Sequence, residues 1–580
     1  MNQPQASPRL RAAVIATAAI VLLSGLGILD AWAPDEPRYL QVAEELRSME
    51  HGAGGLVVLH LNGEVYTQKP PLYYWLAALF GLPTGRVTEF AARLPSAFAG
   101  IAVIGLTVLV GSRLLGSLTG VLGAALLLSV FEFGHMARRI QLDVLLTLFE
   151  MGALIAFWWL DRGLGSRARY LTLMHGAMGL ALLTKGPVGF LIPFLVILTY
   201  LTWEGRPREI ARLFFSWRLL LSLGPALGWI AAALALAPAG FAGEAVGTNL
   251  IGRFFAGTSH ARPFYYYLYQ LPVDFLPWTL LWPIAYLVGR RQVFTEAESV
   301  RDPETRRAWR FLLSWVAVSL VFFSLSSGKR GLYLLPAFPA MALVCADSLL
   351  RHLSGRSRLP RSLTVGAALM ALLLAAVALE ALLAGLTGFA FALPGPLLGT
   401  ISSPLLAGFG LAVIAALAGG CAAWIALARR RAPVILFPGV AIATALAVEL
   451  SVFLLLYPAL QPIKSPRPIA LSAASITEPG DPIGLVSDRA MIGGLAYYAN
   501  RRVAPLKTPE DMRQFVDDGG KAIVVNTRKV DRVEEVTPFE VVSRSRTGRR
   551  EMLVVTPRQG PPAAAPPAGG PPALPPIEER

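Results

Sequence analysis

Long apolar runs dominate the first ~460 residues, broken by short segments where Arg, Lys, Pro and Gly collect. Most runs reach about 18 residues, enough for a helix to cross a hydrocarbon layer of roughly 30 Å. The pattern predicts about 13 transmembrane helices, at 11–29, 94–112, 117–134, 142–160, 170–184, 186–203, 218–238, 270–289, 310–326, 331–350, 363–386, 404–428 and 433–458. The split between the fifth and sixth rests on one turn, Lys185-Gly186-Pro187. The strict alternation of a membrane β-barrel is absent. Arg9 and Arg11 precede the first run, and no small-residue cleavage site follows it. It reads as a retained span rather than a signal peptide.

After Tyr457 the pattern changes. Short β-rich runs at Ile483–Val486, Lys521–Val525, Phe539–Val542 and Glu551–Val555 flank a helical stretch at Pro509–Val516. Residues 459–557 are therefore expected to form a small soluble α/β domain. The Pro/Ala/Gly-rich residues 558–580 are expected to be disordered. The expected fold is an all-α polytopic membrane domain over 1–458, followed by this small domain.

Composition supports that reading: 54% of residues are hydrophobic and 15% charged, against about a quarter charged in soluble proteins. The net charge of +15 would suit nucleic acid, but no soluble basic patch is interleaved with aromatics. The Lys and Arg residues instead gather in alternate short loops, which predicts a cytoplasmic N-terminus. An odd span count then places the C-terminal domain outside. Both cysteines, Cys345 and Cys421, lie in apolar runs, which argues against a disulfide framework.

With this orientation, the chemically varied residues fall on the outer side. The first outer loop carries Asp35, Glu36, Arg38 and Tyr39, then a two-faced segment from Leu40 to Met49. A helix lying in the membrane interface explains that segment. The loop continues through His60, Gln68 and Lys69 to Pro70 and Pro71, where a second interfacial helix bearing Tyr74 starts. Later outer turns give Arg138, Arg139 and Asp143; then Lys185; then Arg253, His260, Arg262 and a run of tyrosines; then Lys329, Arg330 and Tyr333. A tyrosine run is more often an interfacial belt than a ligand platform, and Glu36 with Arg38 reads equally well as a surface ion pair. Asp143, Lys185 and Lys329 each interrupt apolar sequence, where ionisable groups point to function.

Carboxylates at Asp35 and Asp143, surrounded by cations, suit transfer chemistry on an anionic substrate. Lys69, Arg138, Lys185, Lys329 and Arg330 can neutralise a phosphate. A carboxylate can position or deprotonate an acceptor, or hold a divalent cation. Glu36, Arg38, Tyr39 and Tyr74 are candidates for positioning the acceptor. No phosphate-cradling Gly-rich motif occurs, so no nucleotide cofactor is expected. A lipid-borne donor such as a polyprenyl-phosphate sugar meets these requirements. A lipid or solute transporter is the rival reading; it predicts interrupted half-repeats and midplane charges, which the sequence does not show.

These same segments resemble the aminoarabinose transferases of lipid A, which belong with the protein O-mannosyltransferases among the GT-C glycosyltransferases. The resemblance is carried by Asp35-Glu36-Pro37-Arg38-Tyr39, His60-Leu61-Asn62-Gly63, Lys69-Pro70-Pro71-Leu72-Tyr73-Tyr74-Trp75 and Phe90 to Ser96. It continues through Arg138–Asp143, Leu183–Pro187, His260–Phe264 and Gly328–Pro336. It implies a multi-pass enzyme of the bacterial inner membrane that moves a sugar from a polyprenyl-phosphate donor to lipid A, an envelope glycan or a protein. It implies catalytic carboxylates at Asp35 and Asp143, donor-phosphate contacts from Lys69, Lys329 and Arg330, and Tyr333 close by. A divalent metal ion would be held by His260 and a carboxylate at position 68. That position is Gln68 here, a neutral and poorer ligand, and the stretch from Asp35 to Lys69 is a few residues longer than the family pattern.

Overall fold

The computed structural model describes residues 5–238, 241, 243, 261–294, 302–354, 359–387, 403–486, 488–548 and 550–558. The chain divides into two units, Met1–Pro462 and Ile463–Arg580. Nearly all of the predicted disordered tail lies outside the described residues.

Every one of the thirteen predicted runs is helical in the first unit. Among the described residues, eight helices are long and apolar enough to cross a membrane, or up to ten if each of two bent pairs is one span. Eight to ten of the thirteen expected spans thus meet that length and apolarity. The shortfall lies at α1 (Pro8–Leu23), α8 (Arg167–Lys185) and α9 (Val188–Trp203). The first and third have 16 residues each, and α8 carries Arg167, Arg169 and Lys185. Local chemistry sets the breaks. Ser7 caps α1, accepting the Leu10 N–H at 3.2 Å, and Pro8 follows in the first turn. Between α8 and α9, Gly186 has φ +81°, a conformation open to glycine that strains other residues. Lys185 is therefore the last residue of a helix, at a tight turn.

Four more elements frame the site. The first long loop contains α2 (Asp35–Arg47), a short antiparallel pair β1 (His60–Leu61) and β2 (Glu64–Val65), and α3 (Leu72–Gly81). The two helices expected in this loop are present. Helix α4 (Glu89–Leu114) starts at Thr88, whose side chain accepts the Ala91 N–H at 3.2 Å. Helices α5 (Ser117–Leu128) and α6 (Phe131–Ala137) form one bent pair, at 71°. At the bend the Ser129 hydroxyl donates to the Ala125 and Leu126 carbonyls, satisfying groups that the interrupted helix leaves over. Helix α7 (Leu142–Asp161) follows and packs on α8. The other bent pair, Tyr266–Asp274 with Trp278–Phe294, turns by 107° next to Pro277.

A buried ion network ties the first loop to these helices. Glu36 of α2, 2% exposed, meets Arg93 of α4 at 3.2 Å and Arg139, just after α6, at 3.0 Å. It also accepts the Trp32 and Ile140 N–H groups at 3.0 Å each. Arg93 in turn donates to the carbonyls of Leu26, Leu29 and Asp30. Every charge is thus paired and hydrogen-bonded, the condition for keeping ions out of water.

The second unit holds a five-stranded mixed sheet in the order β4-β3-β5-β7-β6. Strands β3 (Ile483–Val486), β4 (Val503–Leu506) and β5 (Ala522–Asn526) are parallel, whereas β6 (Phe539–Thr547) and β7 (Arg550–Pro557) run antiparallel. Leu485, Leu495 and Val524 pack on one face; Phe515, Ile523 and Val555 on the other. Strand β4 escapes sequence reading because Pro505 interrupts it. It is an edge strand, where proline is tolerated.

Candidate active site

Asp35 opens α2, where the helix end favours a negative side chain. Arg330 Nη1 donates to its Oδ2 at 2.9 Å, and Arg38 Nη2 lies 3.6 Å from its Oδ1. Burial by itself would raise the pKa of Asp35, but the charges of Arg330, Arg38 and Lys69 outweigh it and hold the group below its ordinary value. Asp35 is therefore a carboxylate at neutral pH. Arg38 also donates to Gln68 Oε1 at 3.0 Å. Behind it stand Tyr39, Tyr66 and Tyr74, with ring centroids 5.8 Å apart for Tyr39–Tyr74 and 5.9 Å for Tyr66–Tyr74.

Asp143, in the first turn of α7, pairs with Lys185 at the end of α8. The Lys185 ammonium lies 4.4 Å from the centroid of the Tyr333 ring. Tyr333 belongs to the turn Gly331–Ala337, directly after Arg330. The predicted residues thus form two centres joined by one short segment: Asp35 with Arg38, Lys69 and Arg330, and Asp143 with Lys185 and Tyr333.

Lys329 is 3% exposed. Its ammonium donates to the Ser326 carbonyl and to that of Arg262 at 3.1 Å, which leaves one of its three N–H bonds for other partners. The Arg262 N–H bonds Ser327 O at 3.2 Å, and the Tyr267 hydroxyl donates to Arg330 O at 3.1 Å. The basic turn is thereby fastened to the segment after Ala261. Lys329, Arg330 and Arg262 line a cavity of about 330 Å³ together with Glu132, Gln270 and Asp274.

Two predicted residues are placed elsewhere. Arg138 donates to the Val21 and Ser24 carbonyls at the end of α1 and lies 4.4 Å over the Phe453 ring; it grips a helix end. Glu36 belongs to the buried network described above. Its neighbours Arg139 and Arg93 overcome the opposing effect of burial and bring its pKa down to about 2. His260 lies outside the described residues. Sequence reasoning passed over Glu132, Asp274 and Tyr66. Glu132 and Asp274 sit inside the predicted spans 117–134 and 270–289, and their being ionisable within an apolar run was the available signal.

The implied metal pair finds little support from these residues. Gln68 offers its carbonyl oxygen to Arg38, and a guanidinium at that oxygen opposes a cation there. Among the described residues, Glu45, Glu50 and His51 bring ligand atoms within 4.8 Å of one another, an arrangement that could hold an ion. The Glu45 carboxylate also receives the Asn62 and Gly63 N–H groups at 2.5 and 3.0 Å.

The comparisons with known proteins agree with the sequence motifs. The family described as dolichyl-phosphate-mannose-protein mannosyltransferase matches residues 68–231. The chain is 33% identical over 354 residues to an undecaprenyl phosphate-alpha-4-amino-4-deoxy-L-arabinose arabinosyl transferase of Pseudomonas savastanoi, covering 60% of this chain and 62% of that protein. A protein of the same name from Pseudomonas aeruginosa is 34% identical, covering 63% and 62%. The aligned region thus spans about three fifths of the length of these curated relatives. The crystal structure of ArnT from Cupriavidus metallidurans bound to undecaprenyl phosphate superposes with a TM-score of 0.75 at 21% identity, over 96% of this chain and 100% of that one. The resemblance to aminoarabinose transferases is therefore borne out in sequence and in fold.

Proposed function

We propose that this chain is a membrane glycosyltransferase that moves a sugar from a polyprenyl-phosphate donor to lipid A or a related acceptor at the outer face of the bacterial inner membrane. The observation that carries this reading is the ionised Asp35, clamped by Arg330 and Arg38 beside Lys69. One group can orient a nucleophile while its neighbours meet a phosphate.

In this reading the acceptor oxygen bonds to the anomeric carbon as the bond from that carbon to the lipid-phosphate oxygen breaks. The configuration inverts, and the phosphate departs with the electron pair. Lys69, Lys329 and Arg330 stabilise that developing charge, a contribution that is often the largest in such chemistry. Asp35 orients the acceptor and takes its proton if the acceptor is a hydroxyl; an acceptor phosphate is already ionised and gives none up. Asp143 holds Lys185, which adds positive charge beside Tyr333. Tyr39 and Tyr74 shape the wall near Arg38 and position the acceptor. No step passes through a metal.

The proposed topology has all thirteen helical segments crossing, α2 and α3 in the outer interface, and the C-terminal unit in the periplasm. The name and bound lipid of the relatives support the donor class, as do the site's cations. Sugar transfer in membranes carrying Asp35→Asn or Lys69→Ala tests the assignment. Strongly reduced turnover is expected, and near-normal rates in both variants would sink it. Mass analysis of lipid A, envelope glycans and secreted proteins from a strain lacking the chain identifies the acceptor by the missing glycosyl mass.

A further inference from the structure

The second unit carries charges that the proposed reaction does not use. Its parallel strands lie in the order β4-β3-β5, so the first strand has its two successors on opposite sides. The segment after β3 runs to the face of Leu495, and the segment after β5 runs through Val533 to the face of Phe515. Where two such segments part to opposite faces they leave a crevice outside the carboxyl ends of the strands, the usual place for a ligand in open α/β sheets. Here those ends present Asp488 and Arg489 after β3, and Asn526, Thr527 and Arg528 at and after the end of β5. Strand β7 is antiparallel, with Met552 opposite Asn526, so its first residue Arg550 stands at the same end. Arg550 Nε meets Asp488 Oδ2 at 2.9 Å. Asp488 Oδ1 accepts the Ala490 N–H at 3.3 Å, and Asn526 Oδ1 accepts the Arg528 N–H at 3.0 Å. These bonds fix both loops and leave the Arg489 and Arg528 side chains exposed, without a hydrogen bond or ion pair to a described residue. Thr547, opposite Arg550 in the β6–β7 pair, is 2% exposed, and its hydroxyl has no partner among the described residues.

We infer that the carboxyl ends of β3 and β5 form a second anion site, which binds a phosphate monoester carried by a sugar or by a lipid headgroup. Three guanidinium groups, from Arg489, Arg528 and Arg550, come together there from three segments, and each offers a planar fork that matches a pair of phosphate oxygens. The carboxylate of Asp488 answers only one of them. A neutral sugar would leave the other charges unanswered, and a divalent cation would be repelled. A phosphate dianion satisfies them. Asp488 holds Arg550 in place while the site is empty, and the phosphate takes over that pairing on binding. The site lies wholly within the second unit and uses no group of the Asp35 centre, so it does not rest on the glycosyltransferase reading.

The test is hydrogen–deuterium exchange on the full-length protein in detergent, read on peptides covering 488–492 and 526–530. The probes are glucose 1-phosphate, dihexanoyl phosphatidic acid and, as a neutral control, glucose. At about 10 mM, at least one phosphate should slow exchange there ~3-fold or more, as a Kd of about 5 mM or below requires. Protection by glucose 1-phosphate alone assigns a sugar phosphate, and protection by the phosphatidic acid alone assigns a lipid headgroup. Protection by neither, or equally by glucose, overturns the proposal. Arg528→Ala and Arg550→Ala should abolish the effect, with unchanged exchange over 523–525 showing that the sheet is intact; protection that survives in both overturns it. Asp488→Asn keeps a capping side chain and frees Arg550. It should bring protection at about 2- to 5-fold lower probe concentration, the worth of one partly exposed ion pair. Glu478→Gln removes the same charge beyond the amino end of β3, where Glu478 pairs with Lys521, and should change nothing. If an arginine variant loses the sheet, this acidic pair decides: an equal response of the two is a net-charge effect and overturns the site. Protection should also persist in Lys69→Ala; its loss there would put the phosphate at the catalytic centre and overturn the proposal.

Discussion

Arg330 reaches across 295 positions of sequence to donate to Asp35 at 2.9 Å. The contact fixes where the Asp35 carboxylate points and keeps it ionised despite its burial. Removing the guanidinium should therefore do more than lower the rate. In Arg330→Ala, turnover should fall by about 10²-fold, typical of losing one preorganised charge. The acid limb of the pH–rate profile should also move to higher pH, because burial then raises the pKa of Asp35 without its main opponent. Arg330→Lys should restore part of both. A profile that keeps its position in Arg330→Ala would show that Asp35 is held by something else.

The Asp143–Lys185 pair is nearly out of solvent, with side chains 4% and 10% exposed. Breaking such a pair on one side strands a charge, at about 3–5 kcal/mol, whereas replacing both partners costs less. Asp143→Asn and Lys185→Met should each lower stability in detergent more than the double replacement does. All three should lose transfer activity, which separates the pair's structural contribution from its chemical one.

Glu36 has a pKa of about 2 in the folded protein, against about 4.3 for an unperturbed glutamate. A depressed carboxylate contributes stability above its unfolded value and loses it as protons return. Thermal stability should therefore decline as pH falls from about 4.3 toward 2, and Glu36→Gln should flatten that part of the curve. It should also lower stability at neutral pH, since Arg93 and Arg139 then lose their shared partner. An identical pH dependence in wild type and Glu36→Gln would remove Glu36 from the account.

Arg138 is held by the Val21 and Ser24 carbonyls. Arg138→Ala should lower the melting temperature while the KM for the lipid donor stays within about threefold. A large rise in KM with unchanged stability would return Arg138 to the donor-phosphate set that the sequence suggested.

The sequence was informative where one physical constraint dominates. Each of the thirteen apolar runs is helical in the structure, because a long stretch with few charges has to satisfy its backbone internally. It was weaker on which helices are long enough to cross, since α1 and α9 end at caps and turns set by neighbouring chain. The candidate site was legible as a set of loop charges, and Asp35 with Arg330, and Asp143 with Lys185, do meet. What could not be read was pairing. Glu36 and Arg138 look like their neighbours in sequence, yet their partners are Arg93, Arg139 and helix carbonyls far away along the chain. Glu132 and Asp274 lie within apolar runs, and only the bends near Ser129 and Pro277 bring them to one cavity.

The span from Asp35 to Arg330 has a consequence for biogenesis. A chain emerging from the ribosome presents its first acidic loop long before the partner that orients it has been made. The contact that orients Asp35 therefore forms only once the turn before helix Phe338–Leu353 has been delivered. On the proposed function, a product that ends before Arg330 lacks the group that holds Asp35 and should transfer no sugar.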